Sequence, residues 1–162
     1  MVRSMPLSGR GDFDAVVVRT DFRDMQAWAE VRDALLAPWG EGYDASVWFV
    51  DDPAWADASV DEVLEASRSQ EYCPVLFIAD AVTMEVAHHA LLAVTTRTPE
   101  DFGDEEYDAL IEFGREFRTI PVGVHWIEVN LALANMDFEE FSRAASQQPD
   151  GVFRGFDGEV LT

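Results

Sequence analysis

Three apolar runs in this chain each end at aspartate. Asp21 follows AVVVRT (15–20), Asp51 and Asp52 follow SVWFV (46–50), and Asp80 follows VLFIA (75–79). If these runs are neighbouring parallel strands, Asp21, Asp52 and Asp80 all stand just past a carboxyl end, the edge of an open α/β sheet where ligands bind. Carboxylates gathered there suit a hard cation such as Mg²⁺, which takes oxygen ligands and keeps waters. Such an ion could position a phosphate ester for transfer or hydrolysis. Sites of this kind usually place a lysine across from the aspartates. This chain has no lysine, so Arg19, Arg23 or Arg118 would have to substitute. The competing role is structural, because aspartate after a strand commonly caps the next helix or forms a turn. Asp21 and Asp24 are placed to cap a helix, and Asp51-Asp52-Pro53 reads as a turn.

Other chemistry is thinly supported. His88 and His89 are adjacent and so point apart, and His125 is distant, which argues against a shared zinc. There is no G-x-S-x-G elbow. Cys73 is the only cysteine, so no internal disulfide forms, and its place before Pro74 reads as inert packing. The pairs Asp51/Asp52, Glu105/Glu106 and Glu139/Glu140 read as solvated faces rather than acid/base centres. Asn130 lies near an apolar helical stripe, where its amide would tie the helix to a neighbouring loop, and Asn135 reads as a helix C-cap. Phe153, Arg154 and Phe156 sit in a glycine-flanked arm. That composition suits an interface and equally an edge strand over a core. No cofactor is expected, with Mg²⁺ entering only under the aspartate alternative.

The charge narrows the partners. The 162 residues hold 11 basic side chains, all arginine, against 32 acidic ones, for a net −21 and a pI near 4.1. Phosphate backbones need cationic neutralisation, so nucleic acid is excluded, and so is an anionic membrane face. Lysine chemistry is excluded outright. The distribution is uneven: nine acids and no base lie between Arg32 and Arg68, and Glu100–Glu116 holds eight acids against Arg115 alone. Yet 48% of residues are hydrophobic and 12% aromatic, enough for a packed core and unlike an acidic disordered chain.

The elements that must position these residues follow from spacing. Residues 1–11, with Pro6, Gly9 and Gly11, read as a flexible leader, and 12–162 as a single acidic domain. Met25, Trp28, Val31 and Leu35 recur at helical spacing, and Pro38 stops that helix. Ser59 and Glu62 make a capping box for a second helix. The first half is therefore β-α-β-α-β, and its continuous apolar runs predict parallel strands buried on both faces. In the second half, LLAVTT (91–96) and EFRTIP (116–121) are expected to pair as a hairpin around an acidic loop with a helix near 105–113. Val124, Ile127, Leu131 and Ala134 mark another helix, and Asp137 with Glu140 caps a last one. The expected class is α/β: a three-layer sandwich with a parallel first half, a hairpin or mixed extension, and C-terminal helices.

VVRTDF (17–22), WFVDDP (48–53), VLFIAD, FRTIP, NLALANMDFEEF (130–141) and DGVFRGF (150–156) together resemble an uncharacterised acidic domain family of actinobacteria. The resemblance covers most of 13–156 and implies one domain without an assigned activity. Relatives have a short turn where this chain carries the acidic insertion between Thr96 and Arg118.

Two function classes follow. One is a non-catalytic protein of inhibitor, immunity or mimic type that plugs a basic partner, with interaction residues among Glu105, Glu106, Asp108, Phe153, Arg154 and Phe156. The other is a Mg²⁺-dependent enzyme acting on a phosphorylated small molecule through Asp21, Asp52 and Asp80. The first is favoured, because lysine-free negative charge on a well-filled domain steers association with basic surfaces. No apolar stretch is long enough for a membrane span and the N-terminus lacks a signal-peptide pattern, so the expected location is the cytoplasm.

Overall fold

A computed structural model describes residues 3–40, 42–68 and 73–156. One six-stranded sheet runs through the molecule in the order β2-β1-β3-β4-β5-β6. The strands are β1 (Ala15–Arg19), β2 (Val47–Val50), β3 (Val75–Ala79), β4 (Leu91–Thr95), β5 (Glu116–Thr119) and β6 (Val152–Phe153). β1 pairs with β2 and β3 in parallel, as the uninterrupted apolar runs require. β4 runs antiparallel to both β3 and β5, which is the expected hairpin, and β6 returns parallel to β5.

Period-two alternation divides the strands between two cores. Val17, Phe77 and Ala93 point to one face, where α1 (Met25–Leu36), α6 (Pro121–Ala132) and α7 (Phe138–Ser146) deliver Trp28, Leu35, Ile127 and Phe141. Val16, Val18, Leu76 and Ile78 point to the other, against Val63 and Leu64 of α2 (Val60–Ser67) and Trp55 of a 3₁₀ turn, Pro53–Trp55. The result is the three-layer α/β sandwich.

The segment read as a flexible leader is packed from Arg3 onward; Met1 and Val2 lie outside the described residues. Met5 and Leu7 are buried in the second core. The indoles of Trp48 and Trp55 donate to the carbonyls of Pro6 (3.0 Å) and Ser4 (2.9 Å). Proline and glycine signalled the absence of helix or strand, but Met5 and Leu7 find an apolar face that only the folded sheet creates.

Several ends are set by local chemistry. Asp24 caps α1 by accepting from Ala27 N (3.0 Å). Ser59 caps α2 through Glu62 N (3.2 Å). Asp137 and Glu140 form the expected reciprocal cap of α7. The acidic segment between Thr96 and Arg118 folds as α4 (Pro99–Phe102) and α5 (Asp104–Leu110). A short helix, α3 (Ala81–Glu85), escaped the sequence reading; Asp80 and Thr83 make its capping box. At the end of α6, Ala134 takes a left-handed φ of 55° and Asn135 N donates to Asn130 O (3.0 Å). Asn135 therefore contributes its backbone to the cap. The Asn130 amide bonds Trp126 O (2.8 Å) of its own helix rather than a neighbouring loop.

Candidate functional site

β2 and β3 lie on opposite sides of β1, so the strand order reverses between β1 and β3. Their carboxyl ends form the topological switch point where ligands of open α/β sheets bind. Thr20 N donates to Ala79 O (2.9 Å) there and draws the two strand ends together.

The strand-end aspartates reach this edge, each with its own partners. Asp21 is buried, accepts from Arg23 N (3.0 Å) and Arg23 Nε (2.9 Å), and forms an ion pair with the Arg23 guanidinium. Those hydrogen bonds to Arg23 hold its carboxyl below the ordinary carboxylate range. Asp80 receives a two-pronged grip from Arg118, whose Nη1 and Nη2 each lie 2.7 Å from a carboxylate oxygen. Burial pushes the Asp80 carboxyl up, but Arg118 and the Thr83 cap outweigh it and the net displacement is downward. Asp52 is exposed and caps the 3₁₀ turn through Ala54 N (2.9 Å). Among the described residues, no three carboxylate, imidazole or thiol groups gather as a metal site requires.

Asp51, paired with Asp52 in the sequence, has the richer environment. It accepts from Arg19 Nη1 (3.2 Å) and from the Trp28 indole (3.2 Å). The Arg19 guanidinium lies 4.2 Å from the Phe22 ring centre and 4.9 Å from that of Trp28. It is only 6% exposed, so these are desolvated cation–π contacts. Arg19, Arg23 and Arg118, the residues named as substitutes for a lysine, each hold one aspartate.

The proposed interaction residues divide. Glu105, Glu106 and Asp108 are exposed on α5. Phe153 is 1% exposed, locked edge-to-face against Phe141 and Phe117, and Phe156 packs half-buried on Phe141. Phe153 is thus core, whereas Phe156 keeps part of its ring at the surface. Arg154 closes on Asp150 with two bonds of 2.8 and 2.7 Å.

The opposite edge, at the amino ends of the parallel strands, holds what the sequence reading missed. Glu128 of α6 is 1% exposed, and among the described residues neither carboxylate oxygen accepts a hydrogen bond. Arg10 Nη1 stands 3.7 Å away, itself donating to Asp14 O (2.9 Å). Burial pushes the Glu128 carboxyl up to about 8. A lone acid inside the apolar stretch VGVHWIEVNLALA was the available signal. On the same edge a cavity of about 660 Å³ opens between α2, α4 and the end of β4. Arg68, Arg97 and Arg115 line it with Thr95, Thr96 and Thr98. The buried Cys73 thiol also lines it, and burial pushes that thiol up to about 11, so it stays neutral.

Among the described residues no helix is long and apolar enough to cross a membrane. No curated protein matches the chain. The family model that does match, over residues 14–156, is that of a domain of unknown function (DUF6924), and the chain belongs to this family.

Proposed function

We propose that this chain is a non-catalytic binding protein whose acidic surface, centred on α5, engages a basic protein in the manner of an inhibitor, immunity protein or mimic. The observation that carries the reading is how the charges are distributed. Nine of the 11 arginines are engaged in ion pairs with carboxylates of the chain itself. The other two, Arg97 and Arg143, lie over Phe102 and Phe113. With 32 acids against 11 arginines, the surplus carboxylates must face solvent, and α4–α5 concentrates them. Such a surface raises the encounter rate with a cationic partner and is screened over about 8 Å at physiological salt. The geometry of the carboxyl edge supports the same reading, because its aspartates are spent on arginines and caps.

The test is co-purification at low ionic strength, identification of the captured protein, and reconstitution of the purified pair. Titration calorimetry at about 50 and 300 mM salt should show affinity falling at least tenfold. The triple variant Glu105→Gln/Glu106→Gln/Asp108→Asn should lose most of that dependence. A reconstituted partner that is not basic, or one indifferent to salt, contradicts the proposal.

A further inference from the structure

We propose that the amino-edge cavity is a binding site for a small oxyanion, a phosphate- or polycarboxylate-bearing metabolite, held by Arg68, Arg97 and Arg115. A chain of net −21 has few cations to place, yet three of its 11 arginines line this one concavity. Its volume, about 660 Å³, is within the usual range for small-molecule sites.

The arginines are held in ways a ligand can exploit. Arg68 pairs with Glu65 at 2.8 Å and Arg115 with Asp61 at 2.9 Å. Both pairs are exposed, with side-chain exposures of 55% and 75% in the first and 41% and 79% in the second. Exposed pairs contribute little to stability and exchange readily. Asp61 and Glu65 stand four residues apart on α2 and belong to neither wall of the cavity. They hold two guanidinium groups at its mouth without filling it. Arg97 is oriented by stacking, its guanidinium 4.9 Å from the Phe102 ring centre. A planar guanidinium presented edge-on matches a carboxylate or phosphate with two parallel hydrogen bonds.

The rest of the lining is bonded within the chain. The Thr96 hydroxyl donates to Cys73 O and the Thr98 hydroxyl to Asp101 Oδ2 (3.4 Å), which leaves the guanidinium groups as the anion donors. The loop carrying these threonines is pinned by Arg97 N donating to Thr95 Oγ1 (3.2 Å). Among the described residues two acids line the cavity: Asp101 accepts from Thr98 N (2.8 Å), and Glu100, held below the usual carboxylate range first by a hydrogen bond from Thr98, also faces the charge of Arg68, which an incoming anion must share. The neutral Cys73 thiol adds no negative charge. The cavity borders the acidic face assigned to a protein partner through Glu100, Asp101 and Tyr107, but its test reads a small anion and its variants leave Glu105, Glu106 and Asp108 in place, so either reading can fail alone.

The experiment is titration calorimetry on the full chain at low ionic strength with inorganic phosphate, pyrophosphate and citrate, against sodium chloride matched for ionic strength. One site is expected for at least one of these anions. The anion that binds tells phosphate from carboxylate chemistry. Arg68→Ala/Arg115→Ala should weaken that binding at least tenfold, whereas Arg143→Ala should leave it unchanged. Asp61→Asn/Glu65→Gln removes the exposed partners of both guanidinium groups and should tighten binding several-fold. That gain cannot come from a misfolded chain. No heat beyond the chloride control with any of the three anions overturns the proposal. Binding that ignores both double variants overturns it as well.

Discussion

The two edges of the sheet use the same residue types in opposite ways. At the carboxyl edge, every arginine–aspartate pair has a buried or half-buried member: Arg118 grips the half-buried Asp80 with two bonds, the exposed Arg23 bonds the buried Asp21, and the buried Arg19 bonds Asp51 beneath two aromatic rings. At the amino edge, Arg68 and Arg115 hold exposed partners around an open cavity, and the buried Glu128 has an arginine nearby but, among the described residues, no hydrogen bond to either oxygen. A charge that is buried and paired has been spent on the fold. One that is exposed around a cavity, or left in surplus on a helix such as α5, remains available to a ligand. On the proposed reading, binding lies away from the edge where an open α/β sheet would ordinarily bind.

The sharpest way to break the comparison is to remove one arginine from each edge. Arg118→Ala leaves the Asp80 carboxylate half-buried without its two-pronged partner and should cost about 2–4 kcal/mol in urea unfolding. Arg115→Ala removes only an exposed pair and should change stability by less than about 0.5 kcal/mol. Equal costs would show that the edges do not differ.

Titration of Glu128 comes next. Its carboxyl sits near 8 when folded, against an ordinary 4.5, so between these values the folded chain holds a proton that the unfolded chain has released. Stability should fall as pH rises from about 4.5 to about 8, by on the order of 5 kcal/mol, and level off above. Glu128→Gln keeps the shape without the titration and should flatten this slope, making the variant the more stable protein at pH 8. Asp21 and Asp80 act with the opposite sign. Their folded values are lowered, so their contribution is complete above the ordinary carboxylate range and is lost as pH falls below it.

Smaller effects test the two ends of α6, which spans the distance between the edges. A Cβ at Gly123 would collide with Thr119 and reach 3.1 Å from Phe153. Gly123→Ala should therefore cost about 1–2 kcal/mol by forcing the helix off β5 and β6. At the other end Ala134 occupies the left-handed position of the helix cap, φ 55°, that glycine adopts without strain. Ala134→Gly should raise stability by about 0.5–1 kcal/mol, read from the thermal midpoint.

How legible each feature was in the sequence depended on how local its cause was. Parallel β1, β2 and β3 followed from unbroken apolar runs, and the caps at Asp24, Ser59 and Asp137 from residues three positions apart. Asp80 with Thr83 carried the same local signal for α3. By contrast, the ion pairs that occupy the carboxyl edge join residues 38 and 32 positions apart, Arg118 with Asp80 and Arg19 with Asp51, and no spacing rule announces them. The burial of Met5, Leu7 and Phe153 is likewise created by surfaces that exist only after the sheet has formed. So the strand-end aspartates were found by position; Asp21 and Asp52 are held by neighbours two residues on, whereas Asp51 and Asp80 are held by distant arginines.

The measurement closest to the central claim is the salt dependence of binding to a purified basic partner, compared across three chains: wild type, Glu105→Gln/Glu106→Gln/Asp108→Asn on α5, and Asp52→Asn at the carboxyl edge. The account predicts that the α5 variant loses at least tenfold in affinity at about 50 mM salt and that Asp52→Asn binds as wild type does. An α5 variant that binds normally, with Asp52→Asn impaired, would contradict it.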